Sequence, residues 1–282
     1  MILSNKPRRK LQVSNGFYLD FDQLARLIHT IANAEDGQKI SFSFMEEETG
    51  LPFRQVENRL SMGRAMGLIV DRSLGLTPFG QLVAKYDTFF ESKGTLESIH
   101  YFAASREKNL LWYDVFNDLL INYDPLGYEG WLNFFRTSLA GQYSERSLRR
   151  HISEEVRFLI QAYTENNLKK LGLIVKDSQG KLSRRRYLQP TPLVFCAILY
   201  DYAKQQGTEL MQVEDLLQSQ GSPPVLFFMG KEVFVATVEK LHDKGYIRYE
   251  GTHDLNQLRL KEEYCPESFL KAHYENKEPV CR

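Results

Sequence analysis

One short pattern recurs three times along the 282-residue chain, and it constrains the fold more than any other feature. Arg64-Ala65-Met66-Gly67-Leu68-Ile69, Lys169-Lys170-Leu171-Gly172-Leu173-Ile174 and His242-Asp243-Lys244-Gly245-Tyr246-Ile247 each lead from a helix end through a glycine to Leu or Tyr and then Ile. The glycine sits where a left-handed residue closes a helix, and the apolar pair opens a strand. A turn and a second strand follow each time: Asp71–Gly75 then Leu76-Thr77-Pro78, Asp177–Gly180 then Leu182–Leu188, and a Gly251-containing turn then Asn256–Leu260. A helix, a glycine stop and a small hairpin form the second half of a winged helix-turn-helix unit. The copies lie about 105 and 73 residues apart, too irregular for a solenoid.

Helical periodicity supplies the first half of each unit. Phe21, Leu24, Leu27, Ile28 and Ile31 predict a helix over 21–34 with one apolar stripe. Phe44–Thr49 is a shorter helix, and Gly50-Leu51-Pro52 reads as the turn of a helix-turn-helix. The next helix runs from Pro52 to Met66. On a helical wheel Phe53, Val56, Leu60 and Gly63 share one face, while Arg54, Asn58 and Ser61 share the opposite one, flanked by Gln55 and Arg59. Such a polar front suits a DNA major groove, because Arg pairs with guanine edges and Asn or Gln with adenine edges.

The second unit is the more basic. One long helix or two short ones over Ser144–Tyr163 place Arg146, Arg149, Arg150 and Arg157 on the polar side, and the hairpin that follows carries Lys181, Arg184, Arg185 and Arg186. Arg146, Arg149, Arg150, Lys181, Arg184, Arg185 and Arg186 are expected to contact DNA, with a solubilising surface hairpin as the alternative for the last four. The third unit has a helix over Glu232–Lys244 with Phe234, Val238 and Leu241 inward and Glu232, Glu239, Lys240 and Asp243 outward. Phosphates would be partly repelled by that mixed face, so it is expected to contact protein or to be purely structural. Between the first two units, Leu111, Trp112, Val115, Phe116 and Leu119, then Trp131, Phe134 and Phe135, read as helical core packing.

The expected fold is therefore mainly α with small β wings: three winged helix-turn-helix modules and a helical connector. The expected boundaries are a basic arm over 1–16 (Lys6, Arg8, Arg9 and Lys10), module 1 over 17–92, the connector over 93–136, module 2 over 137–190, module 3 over 191–263 and a tail over 264–282.

Lys plus Arg number 36 and Asp plus Glu 36, so the net charge is zero and there is no global positive field to steer the chain to nucleic acid. A hydrophobic content of 43% excludes a disordered chain. Any contact with DNA must come from local runs such as Arg54–Arg64, Arg146–Arg157 and Lys181–Arg186. Three cysteines without metal spacing or a CxxC pair, no signal sequence and no long apolar run point to the cytoplasm and to no membrane. No nucleotide-binding, zinc or protease motif occurs, so no catalytic residue, metal site or cofactor is expected. Glu46-Glu47-Glu48 reads as a solvated helix face, and His100 as a packed or capping histidine.

Seven segments occur in a fixed order: Leu76-Thr77-Pro78-Phe79-Gly80, Tyr86-Asp87, Thr95-Leu96 with His100-Tyr101, Trp112 with Phe116-Asn117, Leu168 with Leu171-Gly172-Leu173-Ile174, the Pro192–Tyr202 helix, and Asp254-Leu255-Asn256-Gln257-Leu258. In that order they resemble an uncharacterised bacterial family, domain of unknown function 4007. The resemblance covers roughly residues 17–260. It departs at Asn15-Gly16-Phe17-Tyr18, where the family has a His-Glu-Thr-Phe-like stretch. Members are often encoded beside DNA phosphorothioate-modification enzymes in phage-defence islands, which implies a DNA-associated role. The expected function is a non-catalytic, double-stranded-DNA-binding component of such a modification or defence system, with protein partners on the third module. A protein-interaction scaffold and a winged-helix transcriptional repressor are the alternatives.

Overall fold

The computed structural model describes residues 9–14, 16–35, 37–252 and 255–280. Lys6, Arg8, Asn15, Asp254 and Cys281 lie outside the described residues. The chain is mainly helical with small antiparallel sheets.

The first region begins with α1 (Phe21–Ala32), whose Asp20 cap accepts from the Gln23 amide at 2.9 Å. Its stripe of Phe21, Leu24, Leu27, Ile28 and Ile31 is buried as the spacing requires. Helix α2 (Phe42–Thr49) ends at left-handed Gly50, and α3 (Phe53–Ala65) follows with Pro52 at its cap. The hairpin after α3 is reduced to one antiparallel bridge, Ile69 to Leu76. Helix α4 (Pro78–Tyr86) starts at once, capped by Thr77. A side chain at Gly80 would meet the Leu68 carbonyl at 2.0 Å, so only glycine lets α4 lie this close to the hairpin.

The middle comprises α5 (Lys93–Ser105), α6 (Leu110–Asp114), a π turn (Val115–Leu119), α7 (Leu120–Asn122) and α8 (Tyr128–Ser138). The second region is α9 (Glu145–Thr164), a 3₁₀ turn (Asn167–Leu171), and strands β1 (Ile174–Lys176) and β2 (Leu182–Arg184), paired with Ile174 opposite Arg184. The return strand expected over Leu182–Leu188 thus stops at Arg184. Tyr187 turns inward instead, donating its hydroxyl to the buried Glu97 carboxylate at 2.5 Å.

Helix α10 (Pro192–Gln206) is buried over most of its length and lies at the centre of the third region. Around it come β3 (Leu210–Gln212), α11 (Val213–Leu216), α12 (Pro223–Leu226), α13 (Lys231–Asp243), β4 (Ile247–Gly251) and β5 (Asn256–Leu260), with sheet order β3-β5-β4. All three glycines of the repeat have positive φ: 74° at Gly67, 64° at Gly172 and 74° at Gly245. The span expected to be a tail is structured over its described residues 264–280. They contain α14 (Pro266–Glu275), which packs on α10 and α4. Phe269 is fully buried 5.0 Å from the Tyr200 ring, and Tyr274 stacks 5.9 Å from Tyr86. Burying Phe269 contributes roughly 1.5–3 kcal/mol to docking this ten-residue helix, with Leu270 and Ala272 buried beside it, and its apolar positions are too few to stand out in sequence. One continuous apolar core, from Val13 to Leu270, runs through every region.

Candidate nucleic-acid interface

The front of α3 is not open. Asn58, Arg59 and Ser61 are 0%, 1% and 7% exposed. Asn58 donates to the Ser14 carbonyl. Arg59 donates to the Tyr18 carbonyl at 2.8 Å, to Asn58 Oδ1 at 2.7 Å and to Gln23 Oε1 of α1 at 2.8 Å. Burial lowers the Arg59 pKa, and the nearby Asp20 carboxylate partly offsets that shift. Lys10 reaches Ser61 Oγ at 3.5 Å. Lys10, Ser14 and Tyr18 therefore lie across the helix face expected to read bases. Of the expected front, Arg54 is exposed and Gln55 half-buried. Phe53, placed by the wheel on the apolar face, is 48% exposed and packs 4.9 Å from Phe42. Five expected readers are thus reduced to two, because α3 has polar residues on both sides and the N-terminal segment covers one of them.

The same segment corrects the expectation of a free basic arm at Arg9 and Lys10. Arg9 pairs with Asp114, donates to the Glu107 carbonyl at 3.1 Å, and lies 5.7 Å from the Tyr113 ring centre. The Lys10 amide bonds the Lys108 carbonyl at 2.8 Å. Buried Glu155 of α9 accepts from the Val13 amide at 3.2 Å, the Ser14 amide at 2.9 Å and the Ser14 hydroxyl at 2.6 Å. A carboxylate with that many donors is well satisfied, and it clips the segment to the second region.

The second region keeps its cations outside. Arg146, Arg149, Arg150 and Arg157 are all exposed, at spacings that line one stripe of α9. Leu148, Ile152, Val156 and Leu159 fill the opposite side. Arg149 pairs with Glu145 at 2.8 Å on open surface, which holds neither strongly. Lys181, Arg184, Arg185 and Arg186 are likewise exposed. Arg184 and Arg186 lie near Phe228 and Gly230 respectively, and Arg185 is anchored through its amide to the Leu173 carbonyl at 2.9 Å.

A loop joins these two sets, and nothing in the sequence marked it. Leu126 exchanges backbone hydrogen bonds with Leu182 of β2 at 3.1 and 2.8 Å. Asp124 Oδ1 accepts from the Arg184 amide at 2.9 Å, and the Tyr128 hydroxyl donates to the Ser153 carbonyl of α9 at 2.9 Å. The hairpin and the α9 stripe are thereby tied into one surface. Exposed Arg136, Lys169, Lys170 and Lys176 add charge to the region. Residues 144–190 hold eleven Lys and Arg against five Asp and Glu, a net +6, whereas 17–92 and 191–263 each hold seven against eleven, a net −4. Neutrality of the whole chain is a cancellation between regions.

The third region exposes Glu232, Glu239, Lys240 and Asp243. His100 is fully buried: its Nε2–H donates to the Leu226 carbonyl at 3.0 Å, and its Nδ1 accepts from the Tyr163 hydroxyl at 2.6 Å. A carbonyl only accepts, so this bonding sets the neutral Nε2–H tautomer. Burial pushes the His100 pKa down to about 3. Among the described residues no group of three or more His, Cys, Asp or Glu can hold a metal ion, and no helix is long and apolar enough to cross a membrane.

This architecture defines a mainly helical protein with small antiparallel sheets and a basic helix-hairpin surface. The chain belongs to the family described as protein of unknown function DUF4007, which matches residues 63–274. Its fold is similar to that of a magnesium-ion-bound crystal structure of SspB, with a TM-score of 0.71 at 15% identity over 93% of this chain and 87% of that one. A second SspB crystal structure gives a TM-score of 0.70 at 13% identity over the same shares. At this identity the likeness is one of fold. No curated protein matches the chain.

Proposed function

We propose that this protein is a non-catalytic DNA-binding component of a bacterial DNA-modification (phosphorothioation) or antiphage-defence system, built on winged helix-turn-helix modules. It contacts duplex DNA chiefly through the second region. The observation that carries the reading is the joined, exposed cation set of α9 and the β1–β2 hairpin, in a region of net +6. Phosphate is the partner such a set fits, since each contact neutralises one backbone charge and releases a counterion. The genomic neighbourhood of the family supports the choice of system. The first module contributes at most Arg54 and Gln55 while Lys10, Ser14 and Tyr18 cover Ser61, Asn58 and Arg59.

The test is fluorescence anisotropy on a short duplex, with and without phosphorothioate, across a salt series. Changing Arg184, Arg185 and Arg186 together to Ala is expected to weaken binding about a hundredfold near physiological salt, and to flatten the log–log salt slope by about three. Unchanged affinity and slope overturn the proposal. A protein-interaction scaffold is the second reading, favoured by the exposed Phe53 beside Glu57 on the net-negative first region. It predicts no duplex binding and a stable complex with a neighbouring gene product.

A further inference from the structure

The basic surface is not only basic. Where the 123–128 loop joins the hairpin to α9, two tyrosines stand in solvent: Tyr123 is 53% exposed and Tyr128 37%. Tyr123 is backed by Phe134 of α8, with ring centres 5.5 Å apart, so its ring is supported. Tyr128 is fixed by its hydroxyl at the Ser153 carbonyl. Ser153 lies on the exposed arginine stripe of α9, four residues before Arg157, and Arg136 is exposed on α8, the helix that Tyr128 opens. Beyond the Leu126–Leu182 bridge lie the exposed Lys181 and Arg184. The carboxylates at the loop are partly engaged: Asp124 accepts from the Arg184 amide and Asp118 from Asn122, while Glu129 is exposed beside Tyr128.

Cations alone suit any nucleic acid. Aromatic rings interleaved with cations are a narrower fit. In a duplex the base faces are stacked on one another and closed to protein, whereas a single strand offers open faces to an aromatic platform. We infer that Tyr123 and Tyr128, with Arg136, Arg157, Lys181 and Arg184, form a track for single-stranded DNA, the tyrosines stacking on bases and the cations holding phosphates. This rests on the DNA-binding reading above and names the strand state that the surface prefers. A protein that works on locally opened DNA would hold duplex through the outer arginines and the separated strand at the loop.

The experiment uses the full chain with labelled dT15 and a 15-base-pair duplex at low salt, read by anisotropy. Tyr123→Ala and Tyr128→Ala are each expected to weaken dT15 binding at least about fivefold while changing duplex binding less than about twofold. Tyr128→Phe keeps the ring and loses the Ser153 bond, so it should retain dT15 binding. That variant also separates stacking from a folding defect, which circular dichroism reports independently. Phe53→Ala, an exposed aromatic on the net-negative first region, should change nothing. If the duplex binds and dT15 does not, the track is wrong and the DNA-binding proposal stands. Tyrosine variants that leave dT15 binding intact, or weaken both DNAs equally, also overturn the track. If neither DNA binds, both readings fall.

Discussion

Helix α3 turns Asn58, Arg59 and Ser61 inward beneath Lys10, Ser14 and Tyr18, whereas α9 turns Arg146, Arg149, Arg150 and Arg157 outward. Both helices precede a glycine stop and a hairpin, and both carry a polar stripe. The difference lies in what the rest of the chain provides. For α3, the Tyr18 carbonyl, Gln23 and Asn58 satisfy a buried guanidinium, so a polar stripe becomes part of the interior. For α9, one buried acid, Glu155, serves the N-terminal segment, and the arginines keep to the far side. A polar helix face is a binding face only if no other part of the chain satisfies it.

The largest expected break in this contrast is Arg59→Ala. It strips donors from the Tyr18 carbonyl, Gln23 and Asn58 in a dry site, so it should cost about 3 kcal/mol or more of unfolding free energy in urea. A loss below about 1 kcal/mol would mean that water reaches the α3 face. Next comes pH. His100 anchors α9 through Tyr163, and its folded pKa of about 3 lies below its unfolded value near 6.5. The unfolded chain then binds more protons, so stability is lost as pH falls below about 6.5, reaching about 2 kcal/mol at pH 5. Burial also lowers His273, in the same sense. Melting temperatures at pH 7 and 5 measure the slope, and His100→Gln should remove most of it. The smallest stability effect belongs to Arg146, Arg149 and Arg150 changed singly to Ala, each within about 0.5 kcal/mol. Each should nonetheless flatten the salt slope of duplex binding by about one. A stability loss without a change in slope would make α9 resemble α3.

The legible parts of the fold were those decided locally. A glycine between a helix end and an apolar pair adopts positive φ for reasons contained in about six residues, and the hairpins at Ile174–Arg184 and Ile247–Leu260 follow from it. Exposure of the second region's arginines follows from the strong apolar stripe of α9, which leaves them one place to go. The buried state of the α3 face is not legible locally because what covers it is distant: Ser14 lies 44 residues from Asn58, and no helical wheel contains it. Helix α14 was missed for a similar reason, since Phe269 finds its partners Tyr200 and Tyr246 in α10 and beside β4. The 123–128 loop carries no motif at all. It gains meaning only where Leu126 meets Leu182.

The clip between Ser14 and Glu155 spans 141 residues. A contact of that separation forms late, because the intervening chain must exist before the ends can meet. During synthesis the first region emerges and can pack α1 against α3 well before Glu155 leaves the ribosome. For that interval Ser14 has its bond to Asn58 but no Glu155 anchor, and the cover over α3 is held only by contacts within the first region.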